Sequence, residues 1–118
     1  MMASGLIEFG GSVSLTFDCG MWAAYRNPLE VIGTEGIIEV PHAYSIPAGK
    51  AGFFLNANGE RREMEVPDAN AYSEQGDHFA EAAFNGRPLR YDAADAIRNM
   101  KVVDACLLSA RERIRVHL

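Results

Sequence analysis

Strands gathered in the first half of the chain and helices in the second predict an α+β protein, since segregated runs of the two element types give that class. Three observations carry the prediction. "SVSLTFDC" alternates apolar and polar residues with period two, Asn58-Gly59 separates two further strand-like runs, and from Tyr72 onward the apolar period becomes helical. A chain of 118 residues is expected to form a single domain over 1–118.

Within "SVSLTFDC", Val13, Leu15, Phe17 and Cys19 share one side of a strand and predict a buried face. Ile7 and Phe9 fit a short partner strand, with Gly10-Gly11 as a two-residue hairpin connection. Leu29–Ile32 and Ile37–Val40 form the next pair, and Pro41 and Pro47 bracket a loop that a central strand would not contain. "GFFLN" and "REMEV" follow on either side of Ala57-Asn58-Gly59, where Asn-Gly supplies the positive φ of a tight turn.

The first helix is expected over Tyr72–Phe84, with Tyr72, Gly76, Phe79, Ala80 and Ala83 on one face. Asn85-Gly86 followed by Pro88 stops it, glycine taking the left-handed position after the last turn. Asp92 is placed to cap a second helix, with Asp95 near its positive end. Ala96, Met100, Val103, Leu107 and Ala110 line one face of that helix, and Val102 and Leu108 widen its apolar surface. "IRVHL" is a candidate last strand.

Bulk properties exclude several functions. The 48% apolar and 23% charged fractions are those of an ordinary globular protein. A net charge of −5 argues against a phosphate-neutralising surface, so nucleic acid is not an expected partner. No run of residues reaches the length of a membrane span, and "MMASGLIEFGG" lacks the basic start and apolar run of a signal peptide. Cys19 and Cys106 form no CxxC and read as buried structural thiols of a reducing compartment, so a cytoplasmic protein is expected.

Candidate chemistry is sparse. "LEVIGTEGIIEV" places Gly33 and Gly36 three apart, but a dinucleotide fingerprint needs a third glycine opening a helix. Ile37-Ile38-Glu39-Val40 continues as a strand, and Glu35 would repel phosphate, so the stretch is a hairpin. Lys50 in "PAGKAG" lacks the upstream glycine and following Ser or Thr of a phosphate loop. Glu74, His78 and Glu81 have a metal-compatible spacing but point away from the apolar stripe, toward water. His42, His78 and His117 are scattered, and Arg111, Arg113 and Arg115 suit a solvated, dipole-compensating role. "MWAAYRNP" is the most suggestive stretch. Trp22, Tyr25 and Arg26 cluster where a strand ends, as ligand-binding groups do, and would suit a polyhydroxylated or carboxylated small molecule. The same aromatic side chains would equally serve as anchors between subunits, or as plain packing.

"SVSLTFDC", "YRNPLEVIGTEGIIEV" and "ANAYSEQGDHFAEAAFNGRPLRYDAADAIRNMKVVDACLLSAR" occur in an order and spacing that resemble the C-terminal domain of the Gfo/Idh/MocA oxidoreductases, over about residues 5–118. The resemblance implies a mostly antiparallel open sheet with helices packed on one face and the other face used for oligomerisation. It also implies an NAD(P)-binding Rossmann domain elsewhere, with hydride passing between nicotinamide and a sugar, polyol or related alcohol. The family's catalytic Glu-Lys-Pro has no counterpart here, because Lys50 and Lys101 neither follow Glu nor precede Pro. The matching parts would lie before residue 1. Tyr72 in "ANAY" corresponds to a position that approaches substrate in some relatives.

The expectation is therefore a C-terminal domain that binds no cofactor itself, offers Trp22, Tyr25, Arg26 and Tyr72 to substrate, contributes no catalytic or metal-ligating residue, and is inactive alone. A homo-oligomer formed through the open sheet face is expected, with a Rossmann domain or subunit as a further partner. Two other readings stay open: a free-standing, self-associating interaction module, and a non-catalytic binder of small ligands.

Overall fold

The computed structural model describes residues 2–47, 51–67 and 69–118. Among them, antiparallel strand pairs and two helices make the chain α+β, with strands first and helices last. Lys50, weighed above as a phosphate-loop residue, lies outside the described residues. The chain divides into two units, Met1–Trp22 with Tyr72–Leu118, and Ala23–Ala71.

In the first unit, β1 (Met2–Glu8) and β2 (Ser14–Gly20) pair with Ile7 opposite Leu15 and Gly5 opposite Phe17. The Phe9 N–H donates to the Val13 carbonyl at 2.8 Å, so the connection is Gly10-Gly11-Ser12 rather than the two glycines alone. Gly11 and Ser12 both adopt positive φ, 74° and 65°. Phe17 lies over Gly5, where an added Cβ would come within 2.7 Å of its ring. The apolar side is otherwise open. Val13 is 58% exposed, and Cys19, expected to be buried, is exposed. A two-stranded ribbon has no second layer with which to cover its own face.

The helices are α1 (Ala71–Asn85) and α2 (Ala93–Glu112). Gly86 at φ 64° ends α1, and the Arg87 N–H returns to the Ala82 carbonyl at 3.1 Å, closing the left-handed stop. The face expected to be covered is not: Phe79 is 61% exposed, and Ala82 is the buried apolar residue among those described. Asp92 caps α2 by accepting the Asp95 N–H at 2.9 Å. Along α2 the half-buried residues are Asp95, Val102, Ala105, Cys106 and Ser109, whereas Met100, Val103 and Leu107 stay exposed. The covered stripe is thus turned by about 100°, one residue, from the expected one. A helix apolar on two sides leaves that choice to its neighbours. The expected final strand does not form, because Arg113 turns left-handed (φ 56°) and its N–H caps Ser109 at 2.8 Å. Ser109 Oγ donates to the Ile114 carbonyl at 2.6 Å, and Arg115 pairs with Glu8 at 2.6 Å.

The second unit is a four-stranded antiparallel meander, β3 (Leu29–Ile32), β4 (Gly36–Val40), β5 (Gly52–Ala57) and β6 (Glu60–Glu65), in that order across the sheet. Register and alternation sort most of its side chains by polarity. Leu29, Val31, Ile38, Val40, Phe53, Leu55 and Met64 fall on one face, and Glu30, Glu39, Asn56, Arg61, Glu63 and Glu65 on the other. Arg62 and Glu60 share the first face, however, and Ile32, Ile37 and Phe54 the second. The expected hairpin at "LEVIGTEGIIEV" is present, with Ile32 opposite Ile37 and the Gly33 N–H donating to the Gly36 carbonyl at 2.9 Å.

The two glycines of that hairpin are not equivalent. Neither takes positive φ. At Gly36, however, a Cβ would collide with the Asn56 carbonyl oxygen and sit 3.2 Å from the Ala57 Cβ, whereas at Gly33 its nearest neighbour is 3.7 Å away. Gly36 is therefore needed for the close approach of β5, and Gly33 is not. Gly36→Ala should lower unfolding stability by about 1–3 kcal/mol, while Gly33→Ala should leave the urea midpoint nearly unchanged. Equal effects from the two variants would remove Gly36 from this role.

Candidate functional site

Antiparallel pairing of β3 and β4 brings the segment before β3 beside the segment after β4. Pro28 and Pro41 flank the last pair of that ladder, Leu29 opposite Val40. Proline has no N–H to give a ladder, so regular pairing stops at the two prolines. Beyond them Asn27 and His42 form an isolated bridge.

Asn27 holds this end together. Its carbonyl accepts the Ala43 N–H at 3.0 Å. Its side-chain Nδ2 donates to the Tyr25 hydroxyl and to the Ser45 carbonyl, both at 3.1 Å. Because the Tyr25 oxygen accepts from Asn27, its own proton is directed elsewhere. Tyr25 is 78% exposed and Tyr44 82%, with His42 half-buried between their segments in sequence. The result is an exposed phenol held by the Asn27 amide. Such a surface offers stacking area and one hydrogen-bond donor; it holds no set of groups arranged for proton abstraction.

Of the residues expected to meet substrate, Tyr25 and Arg26 belong to this unit. Trp22 and Tyr72 belong to the other, Trp22 just beyond β2 and Tyr72 in the first turn of α1. Asn27, His42 and Ser45 were missed. His42 is one of three histidines scattered along the sequence, and no local signal marks the bridge it forms with Asn27.

A second polar cluster lies on the charged face of the sheet. Glu39 on β4 accepts from Asn56 Nδ2 at 2.6 Å and from Arg61 at 2.9 Å. The guanidinium of Arg61 also stacks on Phe54, 3.5 Å from the ring centre. These are diagonal and direct neighbours across three strands, the geometry in which side chains couple in a sheet. The Arg61 hydrogen bond holds the Glu39 carboxyl below its ordinary value of 4.5, with Asn56 adding to the effect and partial desolvation opposing it.

Elsewhere, several carboxylates have partners. On α2, Asp92 is spent on the cap and Asp95 pairs with Arg98 at 3.1 Å, beside a hollow of about 410 Å³. On α1, Glu81 pairs with Arg87 at 2.6 Å, and Glu74, His78 and Glu81 all face solvent. Among the described residues no group of His, Cys, Asp and Glu is placed to hold a metal ion, and no helix is long and apolar enough to cross a membrane.

A carboxylate whose pKa falls on folding contributes stability that is present above its unfolded value and is lost as pH drops through the folded one. Glu39→Gln should therefore lower the urea midpoint at neutral pH and converge on the wild type as pH falls below 4.5, which flattens the acid decline. An unchanged acid slope would dismiss Glu39 as a contributor.

A family model described as the C-terminal alpha/beta domain of an oxidoreductase family matches residues 2–118. No curated protein and no solved structure matches the chain.

Proposed function

The chain belongs to the Gfo/Idh/MocA oxidoreductase family through its C-terminal domain, and from that premise we propose that it is the substrate-bearing, self-associating part of an NAD(P)-dependent oxidoreductase acting on a sugar, polyol or related alcohol. The family match across residues 2–118 carries this reading. The exposed Tyr25, held by Asn27, and Arg26 next to it in sequence offer a stacking surface and a cation for a hydroxylated substrate.

NAD(P) would supply the hydride acceptor or donor of the reaction. The residues present do not fit it. Gly33 and Gly36 lead into β4, a strand, so no helix N-terminus with free N–H groups follows them to receive a pyrophosphate. A Rossmann domain or subunit would hold the cofactor, and this chain alone would be catalytically silent. Fluorescence titration with NADH should show no binding to the isolated chain; micromolar affinity would overturn the division of labour.

Self-association is the second part of the reading. Val31 on the apolar sheet face is 52% exposed, and Leu29 and Met64 on the same face are also exposed. Uncovered apolar area of that kind is removed from water most simply by a second copy. Light scattering at micromolar concentration should give a dimer or larger assembly, and Val31→Lys should shift it toward monomer while circular dichroism stays unchanged. A monomeric wild-type chain would refute this part.

A further inference from the structure

The tip of the β5–β6 hairpin is Asn58-Gly59, between the closing pair Ala57 and Glu60. Both tip residues take positive φ, 54° and 77°, as a two-residue turn twisted to match its strands requires. Asn58, Gly59 and Glu60 are exposed, and a Cβ on Gly59 would meet nothing within 4 Å. Among the described residues the Asn58 side-chain amide has no hydrogen-bond partner, and the residue that follows it, glycine, carries no side chain to shield its own nitrogen.

The other asparagines differ. Asn27 precedes Pro28, which has no N–H, and its amide is engaged by Tyr25 and Ser45. Asn56 lies inside β5 and donates to Glu39. Asn70 and Asn99 precede Ala71 and Met100, whose side chains shield the next nitrogen. Asn85 also precedes a glycine, but it closes α1, where the Arg87 N–H to Ala82 carbonyl bond fixes the backbone.

We propose that the Asn58–Gly59 turn is a site of self-modification, in which the side-chain amide is exchanged for a carboxylate through a cyclic imide. The Gly59 nitrogen attacks the side-chain amide carbon of Asn58. A C–N bond forms to Gly59, the bond to the amide nitrogen breaks, and ammonia leaves with the proton that Gly59 gives up. One water then opens the ring at either carbonyl carbon. Opening at one carbon gives aspartate at 58; opening at the other gives its isomer, with the main chain routed through the side-chain carbon. The net change is one water taken up and one ammonia released, with no oxidant or reductant.

Both products place a new negative charge in a hollow of about 380 Å³ already lined by Glu35 and Glu60. The isomer also lengthens a turn that has room for two residues only, which strains the Ala57–Glu60 pair and then the Asn56–Arg61 pair. Those last two residues are the ones that hold Glu39. The modification thereby reaches from the loop tip to the polar cluster of the sheet.

The whole chain, incubated folded at mildly alkaline pH in heavy-oxygen water and mapped by peptide mass spectrometry, tests this directly. The Asn58 peptide should take up heavy oxygen and split into two products several-fold faster than the Asn85 peptide, and Asn58→Gln should abolish the uptake while leaving the far-ultraviolet circular dichroism unchanged. Conversion of Asn85 at an equal or faster rate, conversion of Asn58 only in denaturant, or uptake persisting in Asn58→Gln would each overturn the proposal.

Discussion

The close approach of β4 and β5 at Gly36 is the constraint on which the rest of the sheet depends. Because position 36 carries no side chain, the Asn56 carbonyl can lie where a Cβ would otherwise stand. That contact fixes Gly36 opposite Ala57, and period-two alternation carries the register along both strands. A slip of one residue would send Glu39 to the apolar face and Ile38 to the charged one. The register is read out twice. At one point it sets Asn56 and Arg61 around Glu39; at another it sets Leu29 opposite Val40, where the ladder ends beside Pro28 and Pro41.

The two polar clusters do different work. Glu39, Asn56 and Arg61 bind three strands to one another on a face that is otherwise dominated by glutamates, so the one guanidinium there also relieves repulsion among them. Asn27 joins no strands. It fastens two loop segments after proline has ended the ladder, and holds Tyr25 outward where a ligand can reach it. The first cluster ties strands together in mid-sheet, and the second ties loop segments where the ladder ends.

The apolar surface that remains open follows from the same architecture. A meander of four strands sorts its residues into two faces but can cover neither by itself, and β1–β2, a ribbon of two strands, is in the same position. Gly33 and Gly36, which at first sight suggest a phosphate cradle, instead belong to the hairpin that gives this domain its register.

Local chemistry written in the sequence determined the element types, the strand pairs, the Asn58-Gly59 turn, the Gly86 stop and the Asp92 cap, because each depends on residues within a few positions of one another. The ordered combination of "SVSLTFDC", "YRNPLEVIGTEGIIEV" and the helical segment also made the family legible. Tertiary structure alone decided which stripe of α2 is half-buried, since a helix apolar on two sides has no local reason to prefer Val102 and Cys106 over Val103 and Leu107. It alone turned the chain at Arg113 instead of extending "IRVHL" as a strand, and left Cys19 exposed. It alone separated the roles of Gly33 and Gly36, and joined Tyr25 to Asn27 and Ser45, because those contacts depend on strands far apart in sequence meeting at one register.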